Sequence, residues 1–202
     1  MTDVGRHLVF KFDPSGTLLM TLGVDGVSGA DDRHFCLPTQ VVVAPTGDIF
    51  VSDGYGNSRV VKYTSAGRFL KAWGTRGTGP GEFHTPHSIM QDKTGTIYVS
   101  DRENDRIQVF DSEGALRAVW LGLHSVDAIC LGSDGYIYGG AGIDKSIIRL
   151  DRDGHLLDVW GGIPYPHGIC VDRDGYIYVT EVGEGRVVKF APAKKPSLRP
   201  RK

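Results

Sequence analysis

The stretch Phe83–Gly122 reads FHTPHSIMQDKTGTIYVSDRENDRIQVFDSEGALRAVWLG, and its apolar residues alternate in four short runs. The runs fall at His87–Met90, Thr96–Ser100, Arg106–Phe110 and Leu116–Trp120. Period-two alternation, β-branched content and glycine punctuation mark these as strands a, b, c and d of one antiparallel unit. Gly95 and Gly114 fall between paired runs, where a hairpin needs a residue that accepts positive φ.

The same phrase recurs along the chain. Gly47, Gly95, Gly135 and Gly175 lie in PTGDIF, KTGTIY, SDGYIY and RDGYIY at spacings of 48, 40 and 40 residues. A second set, Gly16, Gly67, Gly114 and Gly154, follows in phase and divides runs such as RVVKY and RFLKAWG. Four-stranded antiparallel units of about 40 residues are blades of a β-propeller. Dense glycines and the two-residue period exclude an all-helical solenoid. A β-sandwich would not require so regular a phase.

Counting units yields three whole blades, 35–74, 83–122 and 124–161, and two partial ones, 7–23 and 165–190. The expected organisation is a propeller over residues 1–191 followed by a disordered basic tail, PAKKPSLRPRK, over 192–202. Thr2-Asp3 stands where Ser52-Asp53 and Ser100-Asp101 end their b strands, so an upstream a–b hairpin is expected to be missing. The reading is an incomplete propeller ring, as in a truncated chain, a fragment or an internal start. Self-association through open blade edges is one way to cover such a piece.

Composition bounds the rest. The 202 residues are 40% hydrophobic with a formal charge of −1, enough for a substantial core and too neutral for a nucleic-acid surface. No apolar run is long enough for a membrane span, and no signal peptide precedes the first strands. Secretion or periplasmic export would need an upstream signal; otherwise the chain is cytoplasmic. Three cysteines do not make a disulfide framework. Cys130 and Cys170 occupy the strand-a position held elsewhere by Val42 and Met90 and read as small core residues, while Cys36 has no evident partner.

Registering strand a against the aromatic of strand b gives a constant offset of 11 residues: Phe50, Tyr98, Tyr138 and Tyr178 fix Thr39, His87, Asp127 and His167. Strand a lines the central channel, so these four form a polar ring at one level of the axis. Alternate blades carry imidazole, each following a proline, Pro86 or Pro166. Two neutral imidazoles suit zinc, but a catalytic zinc site usually takes three protein ligands. The third position in this alternate-blade register falls before Met1. The other reading is a pair of hydrogen-bonded channel histidines around ordered water.

HFCLPT at His34–Thr39, VSDGYGNSRVVKY at Val51–Tyr63, PGEFHTPHSI at Pro80–Ile89, VSDRENDRIQVF at Val99–Phe110 and PHGICV at Pro166–Val171 together resemble the peptidyl-α-hydroxyglycine α-amidating lyase family, six-bladed propellers of NHL repeats. The resemblance implies a zinc-dependent carbon–nitrogen lyase. It would cleave a carbinolamide, in a peptide or a small N-acyl-α-hydroxyglycine, to an amide and glyoxylate. His87 and His167 match the second and third zinc histidines, Tyr55 the tyrosine of SDGY, and Arg102 an active-site arginine in DREN. Zinc would polarise the substrate hydroxyl, Tyr55 would accept its proton, and Arg102 would hold the carboxylate.

Several positions depart from the family. The first zinc histidine and another arginine belong to blades absent here, and His7 and His34 lie outside the register. Animal members pair the cysteine matching Cys36 with one at the position of Gly56, so this chain lacks that staple and resembles a bacterial or reducing-compartment relative. Gly168 replaces an acidic residue of the family's structural calcium site, which argues against calcium. Two function classes stay open: a lyase, inactive if truncated, and a noncatalytic NHL propeller binding a peptide or protein. A calcium-dependent sugar-acid lactonase is a third, and in the ring only Asp127 answers its need for acidic ligands.

Overall fold

The computed structural model describes residues 1–192; the basic tail expected over 192–202 lies, from residue 193 on, outside them. Five antiparallel sheets follow one another in chain order. Blade 1 holds β1 (Thr2–Asp3), β2 (Leu8–Phe12) and β3 (Leu18–Leu22). Blade 2 holds β4 (Gln40–Val43), β5 (Ile49–Asp53), β6 (Arg59–Tyr63) and β7 (Phe69–Trp73). Blade 3 holds β8 (Pro86–Gln91), β9 (Ile97–Asp101), β10 (Arg106–Phe110) and β11 (Leu116–Leu121). Blade 4 holds β12 (Val126–Leu131), β13 (Ile137–Ala141), β14 (Ser146–Leu150) and β15 (Leu156–Gly161). Blade 5 holds β16 (Pro166–Val171), β17 (Ile177–Glu181) and β18 (Arg186–Phe190).

The architecture is thus three four-stranded blades flanked by two of three strands. Blade 1 begins earlier than the expected residue 7, because Thr2-Asp3 pairs with Val9 and Leu8 in the register in which Ser52-Asp53 pairs with Val60 and Arg59. The pairing agrees with the sequence likeness of Thr2-Asp3 to the ends of the other b strands.

The a–b hairpins of blades 3 and 5 close on the same chemistry, Asp172 Oδ1 accepting the Asp174 and Tyr176 N–H groups at 2.9 Å in blade 5. Asp92 Oδ1 accepts the backbone N–H groups of Thr94 at 2.8 Å and Thr96 at 3.0 Å, and Gly95 follows at φ +90°. The c–d hairpins need glycine for a second reason. A Cβ at Gly154 would lie 2.3 Å from the Trp120 ring of the preceding blade, and one at Gly114 would lie 2.7 Å from Trp73. Glycine therefore supplies both the positive φ and the space into which the neighbouring indole packs.

The core is a series of layers between blades. Phe50, Val60, Phe83, Ile89 and Ile97 fill the layer between blades 2 and 3. Met90, Tyr98, Trp120, Ile129 and Ile137 fill the next. Within a blade, the end of strand b is locked to the start of strand c by a buried ion pair: Asp53–Arg59 at 3.0 Å in blade 2 and Asp101–Arg106 at 2.7 Å in blade 3. Blade 5 uses Glu181–Arg186 at 2.6 Å, and blade 4 has Ala141 opposite Ser146 instead. Cys130 is half-buried and its thiol is pushed up to about 12 by burial. Cys170 corrects the sequence reading: it is exposed, because no blade among the described residues covers that face of β16.

Candidate functional site

The inner strands of blades 3, 4 and 5 begin with one local device. The residue before each strand has a left-handed backbone, Thr85 at φ 64°, Ser125 at 42° and Tyr165 at 39°. One residue later the pairing slips: Pro86 pairs with Asp101 but Ser88 with Ser100, and the same break falls between Val126 and Ala128 and between Pro166 and Gly168. His87, Asp127 and His167 are the residues left out of the ladder. A bulge re-aims its extra side chain, and these three converge: one donor atom from each lies within 4.8 Å of the others.

Thr39, the fourth member of the expected ring, does not join them. Its Oγ1 lies 2.8 Å from the Pro86 carbonyl oxygen and 2.8 Å from Ser52 Oγ, so the hydroxyl ties two inner strands together. Blade 2 contributes Tyr55 instead. Gly54 makes this reach feasible, since a Cβ there would lie 2.1 Å from the Pro86 carbonyl oxygen. That close approach lays the turn after β5 against blade 3 and brings the Tyr55 hydroxyl 2.7 Å from His87 Nε2.

The tautomer of His87 follows from its partners. Nδ1 lies 2.6 Å from the Asp127 carbonyl oxygen, which can only accept, so Nδ1 carries the proton and Nε2 accepts from Tyr55. Burial pushes the His87 pKa down to about 4, with the Arg102 charge acting in the same direction and the Asp127 carbonyl opposing. The ring is therefore neutral near pH 7, the form a metal binds. His167 stands edge-on to His87 with ring centroids 4.9 Å apart.

Arg102 closes one side. Its Nη1 donates to Asp127 Oδ1 at 3.2 Å and its Nε to Glu103 Oε1 at 2.9 Å, while the guanidinium lies 5.6 Å from the Tyr55 ring centroid. Asp127, 1% exposed, also accepts the Gly142 N–H on Oδ2 at 2.9 Å. The structure thus brings Tyr55, His87, Arg102 and His167 together. The sequence reading missed Tyr165, whose ring stacks on His167 at 6.3 Å and 14°; its one sequence signal is its place two residues before that histidine. His7 and His34 are engaged elsewhere, His7 Nδ1 accepting the Leu37 N–H at 3.0 Å and His34 Nδ1 facing Asp31 at 2.8 Å.

Two imidazoles and a carboxylate form a donor set that suits zinc or a similar divalent ion. Donors at 2.0–2.1 Å from zinc are roughly 3.4 Å apart, so closure from the observed spacing requires inward shifts on the order of 1 Å. Tyr55 would also have to release His87 Nε2. The other such cluster among the described residues, Asp151, Asp153 and His155, sits in a largely exposed turn.

Fold and site define a β-propeller of NHL repeats whose axis is lined at one end by imidazole, carboxylate, phenol and guanidinium. The chain belongs to the DUF5128 family, described as a 6-bladed beta-propeller and matched over residues 32–158; residues 164–190 match the NHL repeat. It is 46% identical over 122 residues to the peptidylglycine alpha-amidating monooxygenase of Rattus norvegicus, covering 56% of this chain and 12% of that protein. The probable peptidyl-alpha-hydroxyglycine alpha-amidating lyase of Caenorhabditis elegans is 42% identical over 116 residues, 55% of this chain and 33% of that one. NHL repeat-containing protein 3 of Homo sapiens is 39% identical over 130 residues, 60% and 37% of the two lengths. The matched stretch spans 12–37% of these three proteins. Among solved structures, a streptogramin B lyase superposes with a TM-score of 0.69 at 19% identity, covering 96% of this chain and 64% of that one; this likeness concerns the fold alone. The chain is related to the amidating-lyase family.

Proposed function

We propose that this chain carries the reacting face of a metal-dependent lyase acting on N-acyl-α-hydroxyglycines, releasing an amide and glyoxylate. The observation that carries the reading is the hydrogen bond of Tyr55 to His87, 2.7 Å long, with Arg102 beside the same phenol ring.

The reaction breaks the bond between the amide nitrogen and the hydroxylated carbon. The hydroxyl loses a proton as the carbonyl of glyoxylate forms, and the departing nitrogen gains one. His87 and His167 would hold zinc, which when bound supplies a charge that acidifies a substrate hydroxyl. Tyr55 needs a new partner once His87 Nε2 becomes a ligand, and the substrate hydroxyl is suited to that place. Tyr55 would then serve as the proton acceptor, with the Arg102 guanidinium beside its ring. Arg102 offers a fork for the substrate carboxylate. Glu103 now occupies part of that fork from a half-exposed position, and an incoming carboxylate would displace it.

The test is glyoxylate release from an N-acyl-α-hydroxyglycine by the purified chain with and without zinc. Zinc-dependent release that His87→Ala abolishes and Tyr55→Phe lowers by about 10²-fold is the expected outcome. Release that His87→Ala leaves unchanged would remove the site assignment. A second reading, a noncatalytic NHL propeller binding a peptide or protein, is favoured by the similarity to NHL repeat-containing protein 3. It predicts partner binding by metal-free protein and no glyoxylate at any zinc concentration.

A further inference from the structure

We infer that Asp127 completes, with His87 and His167, a three-donor site for a divalent transition-metal ion. The inference deepens the reading above and rests on the metal in it. The blade between the two histidines presents a carboxylate at their level.

Three observations carry the assignment. Asp127 is the bulge residue of β12 in the same register as His87 in β8 and His167 in β16, so three consecutive blades present their unpaired residue at one level. Its carboxylate is 1% exposed, yet among the described residues it accepts two hydrogen bonds, from Arg102 Nη1 at 3.2 Å and Gly142 N at 2.9 Å. A carboxylate has about four acceptor directions, so acceptor capacity remains beside two imidazoles. The Arg102 contact is also the longer one: Arg102 gives its Nε and Nη2 to Glu103 at 2.9 and 2.8 Å, so the guanidinium only partly offsets the Asp127 charge.

The main-chain carbonyl of the same residue orients the neighbouring ligand. By accepting the His87 Nδ1–H at 2.6 Å it leaves Nε2 as the lone-pair nitrogen, as outer-shell partners of metal-bound histidines commonly do. Carbonyl and carboxylate of one residue therefore act on one centre. Two imidazoles with one carboxylate leave further positions for substrate oxygen, and accommodate zinc, iron(II) or cobalt(II).

The experiment is cobalt(II) and zinc binding to the whole chain by competition with a chromophoric chelator, comparing the native protein with Asp127→Asn and Asp127→Cys. Binding of one equivalent, weakened at least about tenfold in Asp127→Asn, is the expected result. Asp127→Cys should give a sulfur-to-cobalt charge-transfer band in the near ultraviolet that the native chain lacks. A residue that only positions Arg102 would give no such band, and the cysteine variant reports even if the asparagine variant folds poorly. Affinity unchanged in Asp127→Asn, cobalt bound by Asp127→Cys without the band, or no metal uptake by the native chain would each overturn the inference. Glyoxylate release measured on the same native protein separates the two ideas: metal held through Asp127 without release sinks the lyase reading and leaves the site standing.

Discussion

Blades 3 and 5 are built from nearly the same phrases, IYVSD with RIQVF and IYVTE with RVVKF, and sit in different surroundings. Every residue of β9 and β10 is buried, whereas β18 alternates between exposed and half-buried positions. Both blades join strand b to strand c by an acid–arginine pair, but the arginine side chain is 6% exposed in blade 3 and 57% exposed in blade 5. The repeat encodes the hairpins, and the adjoining blade supplies the burial. This is the nearest-neighbour logic of repeat proteins, in which stability is summed over interfaces.

The largest expected effect that sharpens this contrast is at the ion pairs. Asp101→Ala strands Arg106 in the interior and should cost about 3–5 kcal/mol, read as a shift in urea midpoint. Glu181→Ala should shift it far less, since Arg186 turns to water. Equal losses would show that blade 5 is covered in solution. Next come apolar truncations of strand c. Ile107→Ala, fully buried, should cost about 2–5 kcal/mol. Val187→Ala, 65% exposed, should stay within about 0.5 kcal/mol.

A change of intermediate size is set by pH and centres on His87 of blade 3. His87 has a folded pKa of about 4, below the unfolded imidazole value of about 6.5, so protonation favours the unfolded chain. Its contribution is present in full above about pH 6.5 and is lost as pH falls through about 4. The loss approaches about 3 kcal/mol. Denaturant melts of metal-free protein across that window should decline, and His87→Gln should remove that share of the decline. A slope unaltered by the substitution would mean that the imidazole is hydrated when folded.

Most of the fold was legible because hairpin glycines recur with the blade and alternation marks the strands. The level of His87, Asp127 and His167 was legible too, through a constant distance to the strand-b aromatic. Thr39 shares that distance, but its hydroxyl finds backbone acceptors in both Ser52 and Pro86, a local competition that spacing does not encode. Nothing in the sequence distinguishes a bulge from a regular pair at Asp127, where Val126 replaces the proline seen in blades 3 and 5. Tyr165 carried little sequence signal beyond its nearness to His167, because its position depends on a left-handed backbone that tyrosine rarely adopts.

Because His87, Asp127 and His167 stand outside the strand ladder, their identities are largely uncoupled from the pairing that holds each blade. A change of side chain there alters chemistry at the axis while leaving backbone pairing and most of the interblade core intact. The bulge thus works as an interchangeable socket, one in each of blades 3, 4 and 5 at a common height. Libraries restricted to these sockets should survive folding far more often than libraries of equal size in β9 or β10, and a propeller so built is well placed to trade one reaction for another over evolutionary time.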